Sequence, residues 1–252
     1  MTTEPILATY GLGLDIGGAS IVADVSLEVA EGEFVGIIGP NGAGKTSLFN
    51  LLTGLRRATS GRISLRGKDI TNASPADRAQ AGLGRTFQLS SVFPRLTAFE
   101  NVRLAAEASI GGTMRIWRRA SRVSEAVAGA NDALERVGLG GRAGVPAGAL
   151  AGGEKRKLEV AMVLASGSAI VLLDEPMAGV SAEDVPGLVE VVRCVHREAQ
   201  KTVLMVEHHI EVVTGLAERI AVMHHGRVLA CDTPELVMRN ETVQEAYVGE
   251  PL

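Results

Sequence analysis

Residues 39–46 read Gly39, Pro40, Asn41, Gly42, Ala43, Gly44, Lys45 and Thr46, the pattern G-x-x-x-x-G-K-[ST]. Glycines at the bends turn successive backbone N–H groups toward one point. A helix that starts just after them adds the positive end of its dipole, so the point attracts phosphate. Lys45 is placed to reach the outer phosphates of a nucleoside polyphosphate, and the Thr46 hydroxyl to hold Mg²⁺. A second stretch carries acids: Ile170, Val171, Leu172 and Leu173 run into Asp174, Glu175 and Pro176. Asp174 suits Mg²⁺, directly or through water, and Glu175 stands where a carboxylate can orient and deprotonate an attacking water. Alone, the acids read as a solvated strand end. Paired with the glycine loop, they point to magnesium-assisted hydrolysis of a nucleoside triphosphate.

These residues need elements to hold them. The apolar run 34–38 reads as a buried strand leading into the loop, and 45–54 as the helix leaving it. The strand ending in Asp174 is expected to lie beside the loop's strand. Further strand-like runs fall at 21–29, 62–65, 169–173, 202–206, 219–223 and 227–230. Helical patterns fall at 99–109, 115–137, 153–165, 183–199, 210–217 and 242–248. Alternation of strand and helix in the last third implies parallel β-α-β units. The middle, 89–165, reads as a helical insertion without a strand, and the Gly/Ala-rich 138–152 as a loop.

Bulk composition excludes several classes. The chain has 252 residues, 46% hydrophobic and 21% charged, with a net charge of −4, an ordinary globular balance without the basic surface of a nucleic-acid binder. No secretory signal is read at the N-terminus. The longest apolar stretch, 160–173, is broken by Ser166, Gly167 and Ser168. It falls short of the about 20 residues that span a bilayer and reads as a buried helix followed by a buried strand. Cys194 and Cys231 form no C-x-x-C pair and read as buried thiols of a cytosolic protein. The pairs His208–His209 and His224–His225 lack metal-ligand spacing.

Between the two motifs lies Leu150, Ala151, Gly152, Gly153 and Glu154, which resembles the Leu-Ser-Gly-Gly-Gln/Glu signature of ATP-binding cassette ATPases. Gln88, in Gly84-Arg85-Thr86-Phe87-Gln88, resembles the family's glutamine-loop residue, which touches Mg²⁺ and water. Ala178, Gly179, Val180 and Ser181 match its D-loop, and His208 after Glu207 its switch histidine against the γ-phosphate. The resemblance covers nearly the whole chain and implies a phosphate-loop (RecA-like) α/β core with an antiparallel β subdomain and an inserted α-helical subdomain. The single cassette, 1–252, would place core and β subdomain in 1–88 and 166–252 and the helical signature subdomain in 89–165.

The resemblance also implies a shared site with ATP and Mg²⁺. Gly39 to Ser47 one by one, with Ile16 at the base, would hold the nucleotide of one chain, while Ala151, Gly152, Gly153 and Glu154 would face the nucleotide of a second. Thr46, Gln88 and Asp174 would hold the metal, and Glu175, His208 and Gln88 would serve hydrolysis. The stretch 92–102 and the ending Ala246, Tyr247, Val248, Gly249 and Glu250 resemble ATPases of branched-chain amino-acid importers, a pattern that urea and other small-amide importers share. Implied partners are membrane permeases, a second ATPase subunit and, through the permeases, a solute-binding protein, with no nucleic acid. The implied place is the cytoplasmic face of the cell membrane. The alternatives are a soluble non-transport ATPase of the same family or another phosphate-loop NTPase.

The chain departs from the family pattern twice. Ala151 replaces a serine whose hydroxyl reaches the γ-phosphate across the pair. A hydrogen bond to a charged group contributes about 1.5–3 kcal/mol, so the loss amounts to about 10- to 150-fold unless backbone donors suffice. Ile16 stands where the family has an aromatic that stacks on adenine, with Tyr10 as an out-of-register substitute. Arg115, Arg118, Arg119 and Arg122 share one helix face, read either as solvated or as facing lipid headgroups or an acidic permease segment. Phe93, Leu96 and Phe99 are the expected seat of a permease's coupling helix.

Overall fold

A computed structural model describes residues 4–86, 92–109 and 119–247. The chain divides into two compact units: Met1–Ala81 with Leu172–Glu175 and Thr202–Leu252, and Gly82–Val171 with Pro176–Lys201. These limits differ from the 89–165 insertion, since the second unit also takes in residues 82–86, the start of the acid-bearing strand and 176–201.

In the first unit, β1 (Leu7–Ile16) pairs antiparallel with β2 (Ala19–Val29) and with β4 (Ser60–Leu65), which pairs with the short β5 (Lys68–Asp69). The end of β2 alternates buried Val25, Leu27 and Val29 with exposed Ser26 and Glu28, the period of a one-sided sheet. The same period does not reveal β1. Gly11 adopts φ 57° and the register with β2 shifts between Thr9 and Leu12, so a bulge interrupts the alternation.

The second sheet of this unit runs in the order β10-β9-β3-β8-β7, where β3 is Phe34–Ile38, β7 is Ile170–Asp174, β8 is Thr202–Val206, β9 is Arg219–His224 and β10 is Arg227–Asp232. β3 is parallel to β8 and β9, and β10 is antiparallel to β9. Every residue of β3 and β8 is buried, which is why these strands read as unbroken apolar runs. Contrary to the expectation that it lies directly beside β3, the acid-bearing β7 is separated from β3 by β8. This order puts the ends of β7 and β8 next to each other.

Helix α1 (Lys45–Leu52) leaves the loop after β3. Its last turn is held by α2 (Pro75–Gln80), which begins with a reciprocal cap between Ser74 and Asp77. The Arg78 guanidinium of α2 is buried and donates to the carbonyls of Leu51 and Leu52, the otherwise orphaned end of α1, and to Thr71 and Ala73. Helix α7 (Ile210–Leu216) packs on β3, and α8 (Pro234–Met238) and α9 (Glu241–Tyr247) pack on β10.

In the second unit, α3 (Ala98–Ser109), α4 (Arg119–Arg136) and α5 (Gly152–Ala165) pack on one another, and α6 (Val185–Arg197) packs on α5. Small buried residues, Ala106, Ala126, Ala130 and Ala133, let the helices approach closely around Leu134 and Leu158. Thr97 and Glu100 form a reciprocal cap at the start of α3. The loop 138–151 contains 3₁₀ turns at Gly140–Arg142 and Ala147–Ala149 and is tied to α3 by Ala98 N–H to Val145 O and Phe99 N–H to Ala143 O, both 2.9 Å. Strand β6 (Leu83–Arg85) lies beside the start of β7, where Ala169 and Ile170 donate to Gly82 O at 2.9 and 3.0 Å. Among the described residues no helix is long and apolar enough to cross a membrane.

Candidate functional site

The loop between β3 and α1 is shaped by backbone that only glycine tolerates at two points. Gly44, the residue before α1, has φ 99°, and a Cβ on Gly39 would stand 2.1 Å from Met223 O. The turn between β9 and β10 braces the loop through Gly226 N–H to Ala43 O at 3.0 Å, and Gly226 O accepts from Ala23 N–H at 2.8 Å. Lys45 is 5% exposed, and its ammonium donates to the carbonyls of Gly39 and Pro40. A cavity of about 310 Å³ opens over the loop, lined by Ile21, Asn41, Gly42, Ala43, Gly44, Lys45, Thr46, Ser47, Glu175 and His208.

Glu175 and the histidine meet at this cavity. Asp174 closes β7 and is fully buried. Glu175 follows at φ 48°, a strained conformation for a residue with a side chain, and its N–H donates to Val206 O of β8 at 2.9 Å. His208, just past β8, sets Nε2 3.0 Å from Glu175 Oε1. The adjacency of β7 and β8 makes this contact. The Thr46 hydroxyl at the cavity and the buried Asp174 carboxylate, one residue before Glu175, are both oxygen donors of the kind that suits a hard cation such as Mg²⁺.

The signature stretch lies in the second unit, at the N-terminus of α5, which begins at Gly152. Ala151, the N-cap, supplies no side-chain bond. Glu154 Oε2 accepts from Ala151 N–H at 2.9 Å while its Oε1 accepts from Arg142 Nε at 2.9 Å. These two donors, the Ala151 N–H first, hold the Glu154 carboxyl below its ordinary range. A Cβ on Gly153 would press the Asp184 carboxyl at 3.0 Å, so the close approach of α5 to the start of α6 requires glycine.

Several expected positions fall elsewhere. Ile16 sits at the tip of the β1–β2 hairpin, 49% exposed, and is not among the cavity's lining residues; Ile21 of β2 is. Tyr10 has Arg62 over its ring at 4.8 Å to the centroid and does not line the cavity either. Cys194 and Cys231 are half-buried rather than buried; Cys194 Sγ donates to Glu198, and Arg219 donates to Cys231 Sγ. Gln88, Arg115 and Arg118 lie outside the described residues. Phe93 is 55% exposed, on a loop pinned by the buried Asn101, which accepts from Phe93 N–H at 2.7 Å and donates to Phe93 O and Thr97 O. Sequence reading missed Ile21, because a strand residue beside a loop carries no motif of its own.

Residues 22–178 match the family described as ABC transporter. The chain belongs to the ABC transporter family. It is 38% identical to "High-affinity branched-chain amino acid transport ATP-binding protein LivG" of Salmonella typhimurium, over 98% of this chain and 99% of that protein. It is 37% identical to "High-affinity branched-chain amino acid transport ATP-binding protein BraF" of Pseudomonas aeruginosa, again over 98% and 99%. Among solved structures, the ADP conformation of MJ1267, an ATP-binding cassette of an ABC transporter, superposes with a TM-score of 0.84 at 28% identity, covering 98% of this chain and all of that one. Of this ABC chain, the match thus takes in the phosphate loop, the signature stretch and the acids of β7.

Proposed function

We propose that this chain is the ATP-binding and ATP-hydrolysing subunit of an ABC importer for branched-chain amino acids or related small amides such as urea. The observation that carries the hydrolytic reading is the 3.0 Å contact of His208 Nε2 with Glu175 Oε1 at the cavity over the phosphate loop. Lys45 and the backbone N–H groups of 42–46 bind the β- and γ-phosphates of ATP. Thr46 and Asp174, with Gln88, hold Mg²⁺, which when bound neutralises phosphate charge. Glu175 orients the attacking water and accepts its proton, and His208 fixes the Glu175 carboxylate and senses the γ-phosphate.

The N-terminus of α5 presents the Gly152 and Gly153 N–H groups to the nucleotide of a second cassette, so two chains close on two ATP molecules. The cargo reading is supported by the names of LivG and BraF and by the 92–102 and C-terminal patterns, since no residue of this chain touches the solute. Permeases and a solute-binding protein complete the machine at the cytoplasmic face of the membrane. The test is reconstitution in proteoliposomes with partner permeases and a solute-binding protein. Leucine, isoleucine, valine or urea should stimulate ATP hydrolysis together with its own uptake. Hydrolysis that no such solute stimulates refutes the cargo assignment, and no hydrolysis at all in the assembled complex refutes the enzyme.

A further inference from the structure

The residue before His208 has no part in the chemistry above, yet it is among the most deeply buried charged groups of the first unit. Glu207 is 2% exposed. One of its oxygens, Oε2, accepts from three donors: His208 N–H at 2.9 Å, His209 N–H at 3.4 Å and His209 Nδ1 at 3.2 Å. Its own N–H donates to Ile37 O of β3 at 3.4 Å. Two of the three bonds hold the backbone on which His208 is mounted, and the third clamps the next side chain to the same oxygen. The His208 ring, 42% exposed, has little packing of its own to fix its direction.

We propose that Glu207 is a positioning residue that sets His208 against Glu175. A buried carboxylate left without donors is costly, so the 207–209 segment is held in the one arrangement that supplies all three. That arrangement directs His208 Nε2 to Glu175 Oε1 at 3.0 Å. In this role Glu207 acts through His208, not on the reacting groups themselves. The inference rests on reading His208 and Glu175 as parts of a hydrolytic site.

The test is a double-mutant cycle on the full chain with MgATP, read as single-turnover hydrolysis, with the ATP dissociation constant and the melting temperature measured alongside. Glu207→Met keeps the volume and removes the acceptor. It should slow hydrolysis about tenfold or more, as expected for bonds to a charged group, with the ATP dissociation constant unchanged. In a His208→Ala background it should cost nothing further. Glu207→Gln keeps an acceptor oxygen and should recover most of the rate. Equal loss from Glu207→Met with and without His208 overturns the positioning role and leaves the hydrolytic reading intact, as does failure of Glu207→Gln to recover any rate while folded. A His208→Ala chain that hydrolyses ATP at the parental rate overturns that reading instead, and the role of Glu207 with it.

Discussion

At the scale of single residues, the site is defined as much by what is missing as by what is present. Among the described residues no Phe, Tyr or Trp lines the cavity over the phosphate loop; its aliphatic neighbour is Ile21 of β2. An aliphatic contact covers a base without the stacking contribution, about 1–3 kcal/mol per base in other settings. ATP and GTP should therefore bind with dissociation constants within about tenfold of each other, as titration calorimetry with both nucleotides would show; a hundredfold preference for ATP would contradict this. Glu154 gives a pH dependence. The Ala151 N–H and then Arg142 hold its folded-state value below the ordinary 4.5, and a lowered value means that the stabilisation is complete above that pH and is lost as pH falls through the folded value. Glu154→Gln should lower the melting temperature at neutral pH and flatten the loss below pH 4.5. A parallel acid limb in parent and variant would count against it.

At the scale of elements, the helices are capped unequally. α2 and α3 open with reciprocal caps, Ser74 with Asp77 and Thr97 with Glu100. α5 has half of one: Glu154 reaches back to Ala151 N–H, but Ala151 has no hydroxyl to return to the Glu154 N–H. Ala151→Ser should complete the box and stabilise the chain by about 1 kcal/mol in the absence of nucleotide, read from urea unfolding. In the assembled transporter the same change should raise the hydrolysis rate, if the N-terminus of α5 faces a second chain's nucleotide as proposed. A stabilised chain with an unchanged rate would mean that the Gly152 and Gly153 N–H groups already carry that contact. The order of strands matters equally. β8 between β3 and β7 brings His208 to Glu175, a contact that direct pairing of β3 with β7 would not make.

At the scale of the whole molecule, hydrolysis in a transporter has to reach a membrane partner, and the exposed Phe93 is the proposed contact for it. Asn101 pins the Phe93 backbone at both N–H and carbonyl, so the ring is presented from a fixed loop. Replacing Phe93 and Leu96 by Asp should leave ATP binding intact and uncouple hydrolysis from transport, measured as solute moved per ATP in proteoliposomes. Intact transport would refute the docking role.

The amino-acid sequence by itself determined the chemistry and most elements. A phosphate loop needs closely spaced glycines, Lys45 and Thr46, the signature stretch 150–154 is five consecutive residues, and the buried strands β3 and β8 are runs dominated by apolar residues, so each is a local pattern. Strand β1 escaped because its bulge at Gly11 breaks the period, and α2 because it is only a turn and a half long. Only the tertiary structure decided that β8 separates β3 from β7, that Ile21 and not Ile16 lines the cavity, and that Glu207 gathers three donors around His208. Those are relations between residues far apart in the chain or folded back on a buried charge. They are set by which surfaces bury together, and no spacing along the sequence encodes that.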